Sequence, residues 1–419
     1  MEKKKFWTYE NKITIIFFFV IGFVFFDRLA INYLIPFMQG DFPLTNTQIG
    51  LASAALALTW SIAGPLGGLL SDKVKSKKTV LAIFILLFSA ISLLHGLVAS
   101  FAMLFILRLI MGIAEGPIIP ITQSVIAMES SENRRGFNTG FTMNTANALF
   151  GSLLAPIIIV ALASKFDWHT AFYLTIIPGA ILALVVLKFM RNPVKLEEEQ
   201  QQLEKAKVKV SYKEVLKHRN IWLSVVIFSL FMSALMAFSI YTPTYLVTVK
   251  GFTPGTMSMV MAAFGAGYAI FGLLIPALSD KIGRKVTYTV FSTLSILLPM
   301  VILYVQSVPL LMASVFILAA GPSVGSIVMS AIPVESVPFK FAGIAVGLTI
   351  GIGELFGGFL TPILSGIAGD TFGLQAVLFI SAGAATVAFL CSFFLIETLP
   401  SKMAKQQEQA AEATVPVQP

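Results

Sequence analysis

Twelve long apolar runs govern what this chain can fold into. They cover residues 13–36, 47–71, 78–98, 101–123, 136–163, 169–190, 220–247, 256–279, 286–306, 308–332, 340–366 and 374–396. A helix needs about 20 such residues to cross a hydrocarbon core roughly 30 Å thick. In lipid each backbone N–H and C=O must find a partner within the spanning structure, and a helix satisfies that alone. The expected fold is therefore an all-α integral membrane protein with twelve transmembrane helices. Composition supports this, because apolar residues make up 57% and charged residues only 12% of the chain, against about 25% charged in soluble domains. Too few polar groups exist to cover such a chain in water.

Charge placement gives the orientation. With the N-terminus inside, 25 of the 29 Lys and Arg residues lie on the inner side or at inner helix ends, and only Lys165 and Lys250 lie outside. Basic residues concentrate on the cytoplasmic side of a membrane protein, so both termini are expected in the cytoplasm of a plasma-membrane protein. Lys3, Lys4 and Lys5 precede an apolar run too long for the core of a cleavable signal. The net charge of +8 sits in short loops between spans, so nucleic acid is not an expected partner. One cysteine, Cys391, allows neither an internal disulfide nor a zinc site.

The two halves repeat. Ser71-Asp72-Lys73 recurs as Ser279-Asp280-Lys281, an offset of 208. Gly136, Gly140 and Thr142 return as Gly343, Gly347 and Thr349 at 207, and Leu149-Phe150-Gly151 with Pro156 return as Leu355-Phe356-Gly357 with Pro362 at 206. The expected organisation is a six-helix bundle over 1–190, a charged cytoplasmic linker over 191–219, a second six-helix bundle over 220–397, and a disordered tail over 398–419. Parallel repeats of this kind build alternating-access carriers with a midplane site.

The loop Asp280-Lys281-Ile282-Gly283-Arg284-Lys285 resembles the signature of the major facilitator superfamily. Its first-half counterpart, Asp72-Lys73-Val74-Lys75-Ser76-Lys77-Lys78, has lysine where the glycine is expected. The resemblance implies the major facilitator fold of two pseudo-symmetric six-helix bundles. It also implies that Asp72, Asp280 and Arg284 latch the cytoplasmic side when the carrier opens outward.

Five ionisable residues fall deep within spans: Asp27, Arg28, Arg108, Glu115 and Glu354. Facing lipid, they would together cost on the order of 12–17 kcal/mol, as much as a typical folding stability. They must line the bundle interior or a wet cavity. At a rise of about 1.5 Å per residue, Asp27, Arg28, Arg108 and Glu354 share a layer near or just outside the midplane, and Glu115 lies lower. Adjacent Asp27 and Arg28 point about 100° apart, while Arg108 and Glu115, seven residues apart, share a face about 10 Å from each other.

Two of these charge motifs are similar to those of the anion:cation symporter branch of that superfamily, which includes bacterial hexuronate, aldonate and aldarate carriers. They are Phe25-Phe26-Asp27-Arg28 and the run from Arg108 through Glu115 to Pro117, followed by Pro120. The segment Tyr241-Thr242-Pro243-Thr244-Tyr245-Leu246 adds a third match. The resemblance implies that Arg28 binds a substrate carboxylate. Asp27 and Glu115 would be protonation sites, and Arg108 would hold one of those acids or a second anionic group. It places Trp60, Asn147 and Tyr241 on the cavity, with Asn144 as a weaker candidate. Glu354 joins them as an intramembrane charge. The vesicular glutamate carriers carry an arginine and a histidine that are absent here, so the bacterial sugar-acid group is closer. His95, His169 and His218 lie at span ends or in loops and are expected at the interface.

The expected activity is import of a small organic anion with protons, by a monomer without cofactor or metal. No Ser-His-Asp cluster, metal-ligand spacing or phosphate loop suggests an enzyme. Two other readings remain at this point. One is a proton-driven drug exporter, against which stands the absence of a glycine pair after Gly151-Ser152-Leu153-Leu154-Ala155-Pro156. The other is a solute sensor on a carrier fold.

Overall fold

A computed structural model of the protein describes residues 8–74, 76–191, 212–338 and 341–399. Twelve helices are long and apolar enough to cross a membrane: α1 Tyr9–Met38, α2 Asn46–Leu69, α3 Lys77–His95, α4 Phe101–Glu129, α5 Arg134–Lys165, α6 Trp168–Phe189, α7 Arg219–Thr248, α8 Pro254–Ile282, α9 Arg284–Tyr304, α10 Val308–Glu335, α11 Ala342–Phe372 and α12 Leu374–Ser392. Each matches one apolar run. Most extend a few residues beyond it, because backbone hydrogen bonding continues past the point where the side chains turn polar. Caps fix several starts. Thr8 accepts from Asn11 N–H, Ser100 from Met103 N–H and Thr253 from Thr256 N–H, and Thr45 forms a reciprocal capping box with Gln48. Most of the expected linker and nearly all of the expected tail lie outside the described residues.

The helices form two pseudo-symmetric six-helix bundles. Within the first, α2 packs on α4 and α3 on α6; within the second, α8 packs on α10 and α9 on α12. The halves meet through a matching pair of contacts, α2 with α11 and α5 with α8. Glycine makes these contacts possible. A Cβ on Gly50 would lie 2.1 Å from the Pro362 carbonyl oxygen, and one on Gly265 would lie 2.1 Å from that of Ser152. The same device works inside the first half. Gly112 and Gly116 follow Arg108 at four-residue spacing and admit the backbone of α2 at Leu56, Trp60 and Gly64.

The repeat seen in sequence is also a repeat in backbone form. Asn147–Leu154 in α5 and Glu354–Leu360 in α11 are both π-helical, and both run up to the matched prolines Pro156 and Pro362. A proline lacks an N–H and crowds the carbonyl four residues back, and a wider turn relieves both problems. Asn147, at the start of the first tract, is half-buried, and Asn144, three residues earlier, is exposed.

The halves are joined at the face opposite the chain termini. There the Asp370 carboxylate at the end of α11 accepts from Asn46 N–H (2.7 Å), Thr47 N–H (2.9 Å) and the Thr47 hydroxyl (2.6 Å) at the start of α2. Ser258 on α8 donates to the Pro156 carbonyl of α5 at 2.9 Å. Towards the terminal face the partner helices stand apart, and Gly136, Gly140, Gly272, Gly343, Gly347 and Gly351 have nothing within 4 Å of where a Cβ would sit. The crevice between the halves therefore opens on the terminal side.

Asp370 was not singled out by sequence, because a carboxylate at a helix end looks like ordinary surface. It places a negative charge on the positive end of α2. Since it is exposed, each bond is weakened by solvent, and its loss should cost about 1 kcal/mol. Asp370→Ala is expected to enlarge the population open at the far face about fivefold. Spin labels at Thr45 and Phe372 would report this as a growing long-distance component, and an unchanged distribution would show that Asp370 does not hold that face shut.

Candidate solute site between the halves

A cavity lies where the halves meet. Its lining comes from α1 (Arg28, Leu29, Asn32), α2 (Ser53, Leu56, Ala57), α4 (Arg108), α7 (Met236, Ile240) and α11 (Gly358). The two intramembrane arginines thus converge on one space, as their depth along α1 and α4 predicts. Each is positioned by a named contact. The Arg28 guanidinium carbon stands 5.0 Å from the centre of the Trp60 ring, a cation–π arrangement worth about 0.5–2 kcal/mol depending on desolvation. Trp60 is held there by the close α2–α4 approach at Gly112 and Gly116. Arg108 is 3% exposed and donates through Nη2 to the Arg28 carbonyl oxygen at 3.4 Å. Among the described residues neither arginine forms a direct ion pair.

The acids lie behind this surface. Asp27, 2% exposed, points away from the cavity, as the angle between adjacent helical residues requires. Its Oδ1 accepts from the Ser92 hydroxyl of α3, which is itself 2.8 Å from the Thr175 hydroxyl of α6. Its Oδ2 has no hydrogen-bond partner among the described residues. Glu115 is fully buried, and neither of its oxygens has a hydrogen-bond partner among the described residues. Lone carboxylates so placed are costly to keep charged, which suits groups that take up and release protons. Glu354 opens the π-helical tract of α11, across the crevice from Arg28, and its Oε2 has no donor among the described residues.

One expectation about a side chain needs correction. Tyr241 does not line the cavity: it is 0% exposed, and its hydroxyl donates to the Pro362 carbonyl at 2.6 Å and the Asn46 carbonyl at 3.2 Å. It is part of the far-face seam, because α7, α11 and α2 converge there. Asn147 is half-buried and stands beside Gly151, next to Leu29 and Phe25. His95, the last residue of α3, is 1% exposed, with Nδ1 2.9 Å from the Ile91 carbonyl oxygen and its ring beside Phe172. In the other direction, the sequence reading missed Asn32, one helical turn beyond Arg28 and on the same face. That spacing was the available signal.

The loop residues form a cluster within the second half. Arg284 pairs with Asp280 at 2.5 Å and with Glu335 at 2.8 Å, and its backbone N–H donates to Glu397 at 2.8 Å. Gly283 turns the chain at φ +107°, where a side chain would be strained. The first-half lysine at that place, Lys75, lies outside the described residues, as does the side chain of Asp72.

The family model of the Major Facilitator Superfamily matches residues 17–260 and 250–419. This chain belongs to the Major Facilitator Superfamily. Three curated relatives of this superfamily member are informative. A hexuronate transporter of Bacillus subtilis is 28% identical over 251 residues, a match spanning 59% of this chain and 59% of that transporter. A probable galactarate/D-glucarate transporter of the same organism is 23% identical over 97% of this chain and 96% of its own length. A quinolone resistance protein of Staphylococcus aureus is 24% identical over 89% of this chain and 94% of its own. The superfamily member is thus a multi-pass membrane transporter of small solutes, built on the twelve-helix fold expected from its sequence.

Proposed function

We propose that this transporter imports a small organic anion, a sugar acid of the hexuronate, aldonate or aldarate kind, by proton symport with alternating access. The observation that carries this reading is the convergence of Arg28 and Arg108, which have no ion-pair partner among the described residues, on one cavity between the halves. A carboxylate suits two guanidinium groups held in low dielectric. Asp27 and Glu115 supply the coupling. Ionised, they offset the two arginines through the field they share, since a unit charge ~6 Å away is worth about 3 kcal/mol at an effective dielectric near 20. Protonated, they leave a net positive site that captures the anion. The halves then rock about the loaded site, and release of protons on the other side expels the substrate. Asp72, Asp280 and Arg284 would close the terminal face in the opposite state. The charge bias of the loops supports a plasma-membrane carrier with cytoplasmic termini, so the crevice described above is the inward-open one; a monomer suffices.

A second reading, proton-driven export of lipophilic drugs, draws on the similarity to the quinolone resistance protein. It is disfavoured by two arginines on the cavity, which repel lipophilic cations, and by the missing glycine pair after Pro156.

Uptake into proteoliposomes decides between them. Radiolabelled hexuronates, aldonates, aldarates and aromatic acids would be offered with an inward proton gradient and with the gradient collapsed. Accumulation of one class that vanishes without the gradient is expected. Uptake of none, together with gradient-driven efflux of a cationic dye, would replace import with export.

A further inference from the structure

We propose that Glu354 makes this carrier select anions with a single carboxylate, whose other end offers hydroxyl donors, and reject dicarboxylates of the same length. The inference rests on the sugar-acid reading and narrows it. The cavity is polarised. Arg28 and Arg108 stand on the first half, and Glu354 stands on the second, just behind Gly358 in the opposing wall. A Cβ on Gly358 would lie 2.5 Å from Glu354 Oε2 and 3.5 Å from the Ala57 methyl carbon, so the carboxylate occupies the space that glycine leaves. The lining also carries two neutral polar residues, Asn32 and Ser53.

Among the described residues Glu354 has no hydrogen-bond donor. Its Oε2 is sealed from solvent and lacks a partner, while the side chain as a whole stays partly accessible. Among the described residues no arginine or lysine forms an ion pair with it. A carboxylate in such a wall is an acceptor awaiting donors. A polyhydroxylated chain supplies them. A second carboxylate does not: it brings acceptors only, and it is repelled by Glu354 in the ionised form that the field of Arg28 favours. The residue thus acts against the wrong solute as much as for the right one. Aldonates and hexuronates fit both ends, and aldarates fit only the arginine end.

The test compares matched pairs, D-gluconate with D-glucarate and D-galactonate with D-galactarate, by calorimetry on the purified full-length carrier. The wild type is expected to bind the monocarboxylate of a pair at least tenfold more tightly. Glu354→Gln should close that gap to within about threefold, and Glu354→Asp, which keeps the charge, should retain most of it. Equal affinity or a dicarboxylate preference in the wild type would overturn the inference, whether or not the Gln variant folds. A gap that persists in folded Glu354→Gln would do the same. Failure of all four acids, and of D-glucuronate and D-galacturonate offered beside them, to bind would instead remove the sugar-acid reading, and this inference with it.

Discussion

Arg28→Ala is expected to weaken binding of the transported anion at least 30-fold and to bring proteoliposome uptake to background. The guanidinium is a cavity wall and stacks on Trp60. Removing one partner of a desolvated charge pair costs about 2–5 kcal/mol, and each 1.4 kcal/mol is tenfold in affinity. Arg28→Lys keeps the charge but loses the planar fork and most of the stacking, so it should recover only part of the loss. Trp60→Phe should be milder, because a smaller ring still attracts the cation. The measurement is substrate affinity by calorimetry alongside initial uptake rates. If Arg28→Ala binds and transports like wild type, the anion does not sit at this cavity.

Glu115→Gln is expected to abolish uphill accumulation while leaving exchange of substrate across the membrane intact. Glutamine keeps the shape and cannot release a proton, so the site remains in its anion-receptive form throughout the cycle. Glu115 has no hydrogen-bond partner among the described residues that the substitution would break, and the fold should survive it. With one proton coupled, a gradient of one pH unit drives about tenfold accumulation, and the variant should reach a ratio near one. Counterflow of labelled against unlabelled substrate should continue. Continued uphill accumulation in this variant would take the coupling role away from Glu115 and leave Asp27, which is held by Ser92, as the proton carrier.

Sequence reasoning went furthest where a physical cost had only one remedy. Charges at the depth of Arg28 and Arg108 cannot face lipid, so their presence in a cavity could be expected before any coordinates. Their grouping followed from counting residues along helices that rise uniformly. The same arithmetic could not assign Tyr241. An aromatic hydroxyl on a cavity-facing helix and one bridging Pro362 and Asn46 look identical in one dimension, because the difference lies in which helices converge outside its own. His95 closes α3, as its place at the end of an apolar run predicts, and the packing of α6 over α3 buries it there.

The sequence by itself determined the class of protein, the number of spans, the two-fold repeat and the intramembrane charges. These follow from the solvent: lipid imposes helices of a set length and forbids stray charge, and such rules act residue by residue. The tertiary structure decided how the halves meet. It assigned Asp370, Tyr241 and the glycines at positions 50 and 265 to the seam, left the terminal side open, and set Glu354 opposite two arginines on the other half. Those relations join residues up to 324 positions apart, and they depend on helix orientation and close packing, which no single segment encodes.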